Sequence, residues 1–405
     1  MKILFLSDDF PPQSFGGAGI VAYNLAKGIQ SKGHEVFVIT TVRSKPEEGK
    51  TKLDGLTVFR IYTNHHERWR AWVSMYNPQT VSKVRKIIQE TKPDIVHAHN
   101  IHSYLSYPCL GVAKKYSKAV FLTAHDVMLI HYGKLMPKNG NVFYRVNIID
   151  QIKEAEKRYN PFRNIIIRHY LKSVDKIFAV SNAVKKILEI NGIKNIETVY
   201  NGIDADEWKV KLEVIEKFKK EYDLQNKKII LFSGRLSKAK GGEVALKIIK
   251  KISESVKDVI LLIAGRKDFY TEKMKKIINK NNISDKVIFT GWLNSNNMKI
   301  AVSSSDVCIA PSIYLDPFPT VNLEAMAAKK PVIGTYFGGT PEIVVNGKTG
   351  YIVDPHNTED MMQKITDLLK NSQKAKQFGE AGHERVKELF SVERQVEQVL
   401  KWYIK

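Results

Sequence analysis

Short apolar runs alternate with amphipathic segments of helical period along this chain, and they do so in two series separated by a charged stretch. The first series has strand-like runs at Lys2–Leu6, Glu35–Thr40, Thr57–Ile61, Ile95–Ala98, Val120–Thr123, Lys176–Val180 and Glu197–Tyr200, with helical segments such as Ala18–Ser31, Thr80–Glu90 and Asn182–Ile190 between them. Strands joined through helices pair in parallel, because each crossover returns the chain to the same end of the sheet. The pattern therefore predicts a doubly wound α/β layer with helices on both faces. The second series runs through Lys228–Ser233, Val259–Gly265, Lys286–Gly291, Asp306–Ala310 and Pro331–Thr335. A chain of 405 residues suits two such Rossmann-like domains. The expected division is 1–205 for the first, 206–227 for a linker, 228–390 for the second and 391–405 for a closing helix. Ligands of such sheets bind beyond the carboxyl ends of the strands, so the chemistry is sought there.

The most informative strand end leads into Ser312–Lys329, S-I-Y-L-D-P-F-P-T-V-N-L-E-A-M-A-A-K. Asp316-Pro317 and Phe318-Pro319 hold the backbone extended, since each proline pushes its predecessor out of the α region. Thr320 is expected as an N-cap, with helix formers from Leu323 onward. This sets the carboxylates of Asp316 and Glu324 beside the amides of Val321, Asn322 and Leu323, a helix start that attracts phosphate. After Lys228–Ser233 come Gly234-Arg235-Leu236 and then Lys240-Gly241-Gly242, where two permanent cations meet a glycine-rich turn. Those are conditions for holding a pyrophosphate; the alternative is a charged surface turn.

In the first half, Pro11–Gly19 carries Gly16-Gly17 into a helix. That is either a tight turn or a backbone open to another molecule, and it is not the G-x-G-x-x-G of dinucleotide enzymes. His97 and His99 share one side of a strand, yet no further ligands at metal spacing follow them. Thr123-Ala124-His125-Asp126 puts a histidine at a strand's carboxyl end, where it can reach a sugar hydroxyl or a phosphate. Asp204 and Asp206 form a D-x-D of the kind that elsewhere holds a divalent ion, but one such pair is frequent by chance.

Taken in order, the glycine loop, T-x-H-D, G-R-L-x-x-x-K-G and the two acids eight positions apart ending in L-E-A-M-A resemble the retaining family 4 glycosyltransferases. The resemblance covers nearly the whole chain. It implies the GT-B architecture, two facing Rossmann-like domains with an interdomain cleft, and a last helix, Glu393–Tyr403, that crosses back to the first domain. The implied activity is a hexosyltransferase that moves a sugar from a nucleotide-diphosphate sugar to a hydroxyl acceptor (glycan, lipid or small molecule), with retention and with neither cofactor nor metal. By resemblance His125 and Asp316 meet the donor sugar, Glu324 the ribose, and Arg235 and Lys240 the leaving diphosphate. Gly16 and Gly17 would lie between donor phosphates and acceptor, and Thr320, Val321 and Asn322 would line the donor site. The family usually has Glu where Asp316 stands and Gly where Pro319 stands; an Asp reaches about 1.5 Å less, and proline removes one amide.

Charge bears on partners rather than on fold. Against 42 Asp+Glu the chain carries 64 Lys+Arg, a net +22, which favours polyanions such as nucleotides, nucleic acid or an anionic membrane face. A nucleic-acid-binding protein is thus the rival from another class, and a sugar-nucleotide epimerase the rival enzyme; the paired acids weigh against the epimerase, and no specific nucleic acid is expected. His65–Tyr76 interleaves aromatics with arginines, and Arg163–Lys172 groups Ile166, Tyr170 and Val174 with Ile167 and Leu171, leaving Arg163, Arg168 and Lys172 more peripheral. Either segment suits peripheral contact with an anionic membrane, or burial of its apolar side in its own domain. The run Met1–Leu6 meets Ser7-Asp8-Asp9 too soon to be a secretory signal, no apolar run approaches the roughly 18 residues of a span, and Cys109 and Cys308 imply no disulfide framework. A cytoplasmic protein is expected.

Overall fold

A computed structural model of the chain describes residues 1–12, 16–266 and 269–405, without the side chains of Glu67 and Phe269. Gln13, Ser14 and Phe15 of the first glycine loop lie outside the described residues. Two compact units are present. The first comprises Met1–Leu135, Phe143–Gly202 and Val392–Lys405, the second Met136–Val142 and Ile203–Ser391.

The first unit is built on eight strands: β1 (Lys2–Leu6), β2 (Glu35–Val42), β3 (Gly49–Leu53), β4 (Leu56–Tyr62), β5 (Ile95–Ala98), β6 (Ala119–Ala124), β7 (Lys176–Ala179) and β8 (Ile196–Thr198). They lie in the order β3-β4-β2-β1-β5-β6-β7-β8. Every pairing is parallel except β3 with β4. That hairpin turns through Asp54 and Gly55, both at positive φ (47° and 85°), and Asp-Gly is a strong signal for such a turn. One core contains Phe5, Val38, Phe121 and Phe178 from the strands, Leu25 and Ile29 from the helix Gly17–Ser31, and Val396, Val399 and Tyr403 from the helix Val392–Tyr403. Gly28 permits that close approach, since a Cβ there would collide with the Val396 side chain.

The second unit has six parallel strands: β9 (Lys228–Ser233), β10 (Val259–Ala264), β11 (Val287–Gly291), β12 (Val307–Ala310), β13 (Val332–Thr335) and β14 (Gly350–Val353). Their order is β11-β10-β9-β12-β13-β14, so the direction of winding reverses between β9 and β12. A doubly wound sheet opens its binding crevice at that reversal. The corresponding point of the first sheet lies between β1 and β5.

Two expectations are corrected here. The stretch expected as a linker contains the helix Leu212–Glu221 and belongs to the second unit, because Phe218 and Leu224 bury there and the helix packs on Ser295–Ser304. Arg163, expected at the periphery of its helix, is 1% exposed; its guanidinium lies 4.6 Å over the Tyr132 ring and donates to the Met128 carbonyl. Among the described residues no helix is long and apolar enough to cross a membrane.

Candidate active site

Two loops leave the carboxyl ends of β9 and β12, and backbone bonds stitch them together. The Ile313 amide donates to the Ala239 carbonyl (2.9 Å), and the Gly242 amide to that of Ser237 (3.0 Å). Gly241 sits at φ +78° directly against Pro311, where a Cβ would collide with the carbonyl oxygen. No other residue type permits both that backbone conformation and that approach.

The stitching sets Lys240 Nζ 2.8 Å from Asp316 Oδ2. Ser312 Oγ donates to the same oxygen at 2.7 Å. The Tyr314 side chain hydrogen-bonds to both members of the pair, and its ring centroid lies 5.5 Å from the ammonium. Behind Asp316 the backbone is closed by Gly339, whose amide donates to the Asp316 carbonyl (2.8 Å), and by Gly338 at φ +80°, where a Cβ would strike Asp316 itself. Burial works against the Lys240 charge, but Asp316 and Tyr314 outweigh it and hold the ammonium well above the usual lysine range. Burial likewise opposes ionisation of Asp316, and Lys240 and Ser312 bring its carboxyl below the usual range. This is a fixed ion pair, with the Asp316 side chain only 5% exposed.

The helix Thr320–Ala327 follows. Thr320 is not its cap: Pro319 occupies that position, and Thr320 opens the first turn with a side-chain hydrogen bond to Glu324. Burial pushes the Glu324 carboxyl up to about 7, against the pull of that bond and of Lys240. The Asn322 amide is taken by the Pro319 carbonyl (3.0 Å), and its side chain donates to Thr340 Oγ1 (3.2 Å), so Asn322 braces the helix internally. Val321 and Glu324 line a small hollow with Ser233 and Cys308. Arg235 stands exposed on the turn just after β9. The second unit therefore brings Lys240, Asp316, Thr320 and Glu324 together and holds Arg235 on the loop that carries Lys240.

The first unit carries the remaining residues. Gly16 caps the helix Gly17–Ser31 with extended backbone, and a Cβ there would meet nothing within 4 Å, so its own fold leaves room for a side chain. His125 follows β6, and its Nε2 lies 2.8 Å from Nδ1 of His99. His97, one strand pleat back, is held by Thr123 Oγ1 (2.7 Å) and the Tyr403 hydroxyl (2.5 Å). Burial lowers all three histidines, His97 to about 3 and His125 to about 4, so the row is uncharged at neutral pH. Sequence reasoning missed Asp8. Its buried carboxylate accepts the amides of Ser103 (2.7 Å), Tyr104 (3.0 Å) and Leu105 (2.7 Å) and pins the loop after β5; burial raises it to about 7 against those bonds. A single Asp after a strand carries no sequence signal for this role. Ser312 and Tyr314 were missed as well, although the run that contains them was singled out.

Asp206 donates its amide to Asp204 Oδ1 (2.9 Å) and pairs with Lys209 (2.7 Å), a local turn contact. Among the described residues no group of three or more His, Cys, Asp or Glu side chains is placed to hold a metal ion.

Comparison with known proteins agrees across both units. The family described as Glycosyltransferase Family 4 matches residues 15–207, and that described as Glycosyl transferases group 1 matches residues 214–385. The chain is 27% identical over 384 residues to the uncharacterized glycosyltransferase MJ1607 of Methanocaldococcus jannaschii, covering 92% of this chain and 90% of the relative. It is also 27% identical over 395 residues to the N-acetyl-alpha-D-glucosaminyl L-malate synthase of Bacillus anthracis, covering 95% and 93%. Among solved structures, sucrose-phosphate synthase from Thermosynechococcus elongatus superposes with a TM-score of 0.80 at 18% identity, covering 99% of this chain and 98% of that one. Anabaena HepE in complex with UDP and glucose superposes at 0.76 and 18% identity, covering 99% of each. With glycosyltransferase families matched to both halves and one shared two-sheet fold throughout, this chain belongs to the GT-B glycosyltransferases.

Proposed function

We propose that the chain moves a sugar from a nucleotide-diphosphate donor to a hydroxyl acceptor, with retention at the anomeric carbon and without a metal ion. The observation that carries this reading is Lys240, a partly buried ammonium kept protonated by Asp316 and Tyr314 at the winding reversal of the second sheet. As the glycosidic bond breaks, negative charge grows on the diphosphate and the sugar becomes oxocarbenium-like. A cation already fixed in place stabilises that charge without reorganising. Arg235, on the same loop, is the second cation for the leaving group. Asp316 is assigned to sugar hydroxyls, Glu324 to the ribose, and His125 to the sugar and its nearby phosphate. Gly16 and Gly17 leave the backbone open between donor and acceptor. No protein nucleophile is assigned. The Anabaena relative was captured with UDP and glucose, which puts uridine-diphosphate sugars first in order of testing.

The test is a panel of nucleotide sugars, followed by thermal shift, slow donor hydrolysis with and without chelator, and the anomeric configuration of the product. The expected result is one preferred donor, activity unchanged by chelator, and a product with the donor's configuration. Arg235→Ala with Lys240→Ala should abolish nucleotide-diphosphate release from a protein that still unfolds cooperatively. Unchanged turnover in that double variant overturns the site.

A further inference from the structure

The helix Ile148–Ala155 is amphipathic the wrong way round for a core helix. Its buried residue is Ala155, while Ile148, Ile149 and Ile152 are 61%, 71% and 47% exposed. These three lie one and four positions apart and so share a face. The neighbouring helix Arg163–Leu171 is joined to it by a hydrogen bond from Asn164 Nδ2 to Gln151 Oε1 (2.6 Å), and it adds Phe162 and Ile165, both more than half exposed. Five large apolar side chains clustered on two linked elements exceed the scatter ordinary on a soluble surface.

What surrounds them identifies the occupant. Segment 143–172 carries seven Lys or Arg against three Asp or Glu, a local charge of +4. The exposed residues Lys153, Lys157 and Arg168 lie on the two helices and the turn between them. Ala71 joins Ala155 and Tyr132 in one apolar cluster, which brings the turn bearing Trp69 and Trp72 to the same side of the unit. Both indoles are close to half exposed. Beneath that turn, Arg70, Arg158 and Arg163 line a hollow that no carboxylate lines. Apolar side chains outermost, half-exposed tryptophans beside them and a basic rim form the profile of a surface that inserts shallowly into the headgroup layer of a charged bilayer.

We propose that the first unit docks on an anionic phospholipid bilayer through the face formed by Ile148, Ile149, Ile152, Phe162 and Ile165. The docking requires no nucleotide sugar, so it stands or falls separately from the donor reading. The test uses the full chain in flotation with phosphatidylglycerol-containing vesicles and with vesicles of phosphatidylcholine alone. The protein should float with the anionic vesicles at low salt and not with the neutral ones. Ile148→Asp with Ile149→Asp should weaken that partition roughly 10-fold or more, because apolar insertion is replaced by charge facing charge. Lys153→Glu and Lys157→Glu should each weaken it about fivefold. Thermal midpoint and donor hydrolysis should not change in any of the three variants, since these side chains are exposed and lie outside the donor machinery. No flotation at low salt overturns the proposal, as does flotation that the isoleucine variant leaves intact. A concentration-dependent dimer that the isoleucine variant dissolves, in a protein that ignores vesicles, would assign the face to a second copy instead.

Discussion

At the carboxyl edge of the first unit's sheet His97, His99 and His125 are stripped of charge by burial, whereas at the same edge of the second sheet Lys240 and Asp316 are held fully charged by each other. The topology of the two edges is alike and the electrostatics are opposite. Neutral imidazoles can donate or accept a hydrogen bond without attracting counter-ions, which suits recognition of hydroxyl groups. An ion pair with a fixed cation suits a group whose negative charge is about to grow. The difference predicts a division of labour, with the growing charge of the leaving group met by Lys240 of the second unit and an uncharged hydrogen-bonding group supplied by His125 of the first.

The sharpest way to break that division is Lys240→Ala. Turnover should fall about 1,000-fold, and the buried Asp316 left unpaired should cost about 3 kcal/mol of stability in denaturant titration. Full activity in this variant would move the charge handling elsewhere. His125→Ala should lose less, about 100-fold in kcat/KM, with little change in melting temperature. If it loses more than Lys240→Ala, the assignment of roles is reversed.

pH separates the histidine row from Glu324 by sign. The histidines have folded values below their ordinary 6.5, so the unfolded chain binds more protons between about 4 and 6.5, and this term should add stability to the first unit as pH rises across that window, against the opposite term of Asp8, whose folded value of about 7 lies above the ordinary 3.8. Glu324 is the opposite case. Its folded value of about 7 lies above the ordinary 4.5, so the folded state holds the extra proton, and this term should cost the second unit stability as pH rises from about 4.5 to 7. With Asp8 replaced by Asn to remove its opposing term, hydrogen exchange at pH 5 and pH 7 should therefore show protection near His97–His99 rising with pH and protection of Thr320–Ala327 falling. Glu324→Gln should remove the second trend alone. The smallest expected effect is that of Tyr403→Phe, which removes the hydroxyl partner of His97 and should cost about 1 kcal/mol in the first unit's thermal transition, without touching the second.

Periodicity carried most of the fold. β1, β5 and β9 begin and end where the apolar runs do, because strands buried on both faces read as continuous hydrophobic segments. β3 escaped because Gly49-Lys50-Thr51-Lys52-Leu53 is polar and lies at a sheet edge, although its Asp54-Gly55 turn was there to be read. The supposed linker escaped for the converse reason: its many lysines conceal the single face that carries Phe218. At the site, residue types were legible and partnerships were not. Lys240 meets Asp316 across 76 positions of sequence, and the glycines that permit the meeting, Gly241 and Gly338, show their purpose only against Pro311 and Asp316. Thr320 was misjudged as a cap because local propensity favours threonine there, while Pro319 already supplies the extended backbone that a cap position needs.

The helix Val392–Tyr403 completes a core whose other members lie within the first 202 residues. During synthesis this means that the first unit's sheet, although made before the second, waits with an open hydrophobic seam until residues 392–403 have emerged, while residues 203–391 already have their whole complement of strands. A chain broken off near residue 390 would therefore injure the first unit rather than the second, although the break lies beyond every strand of both.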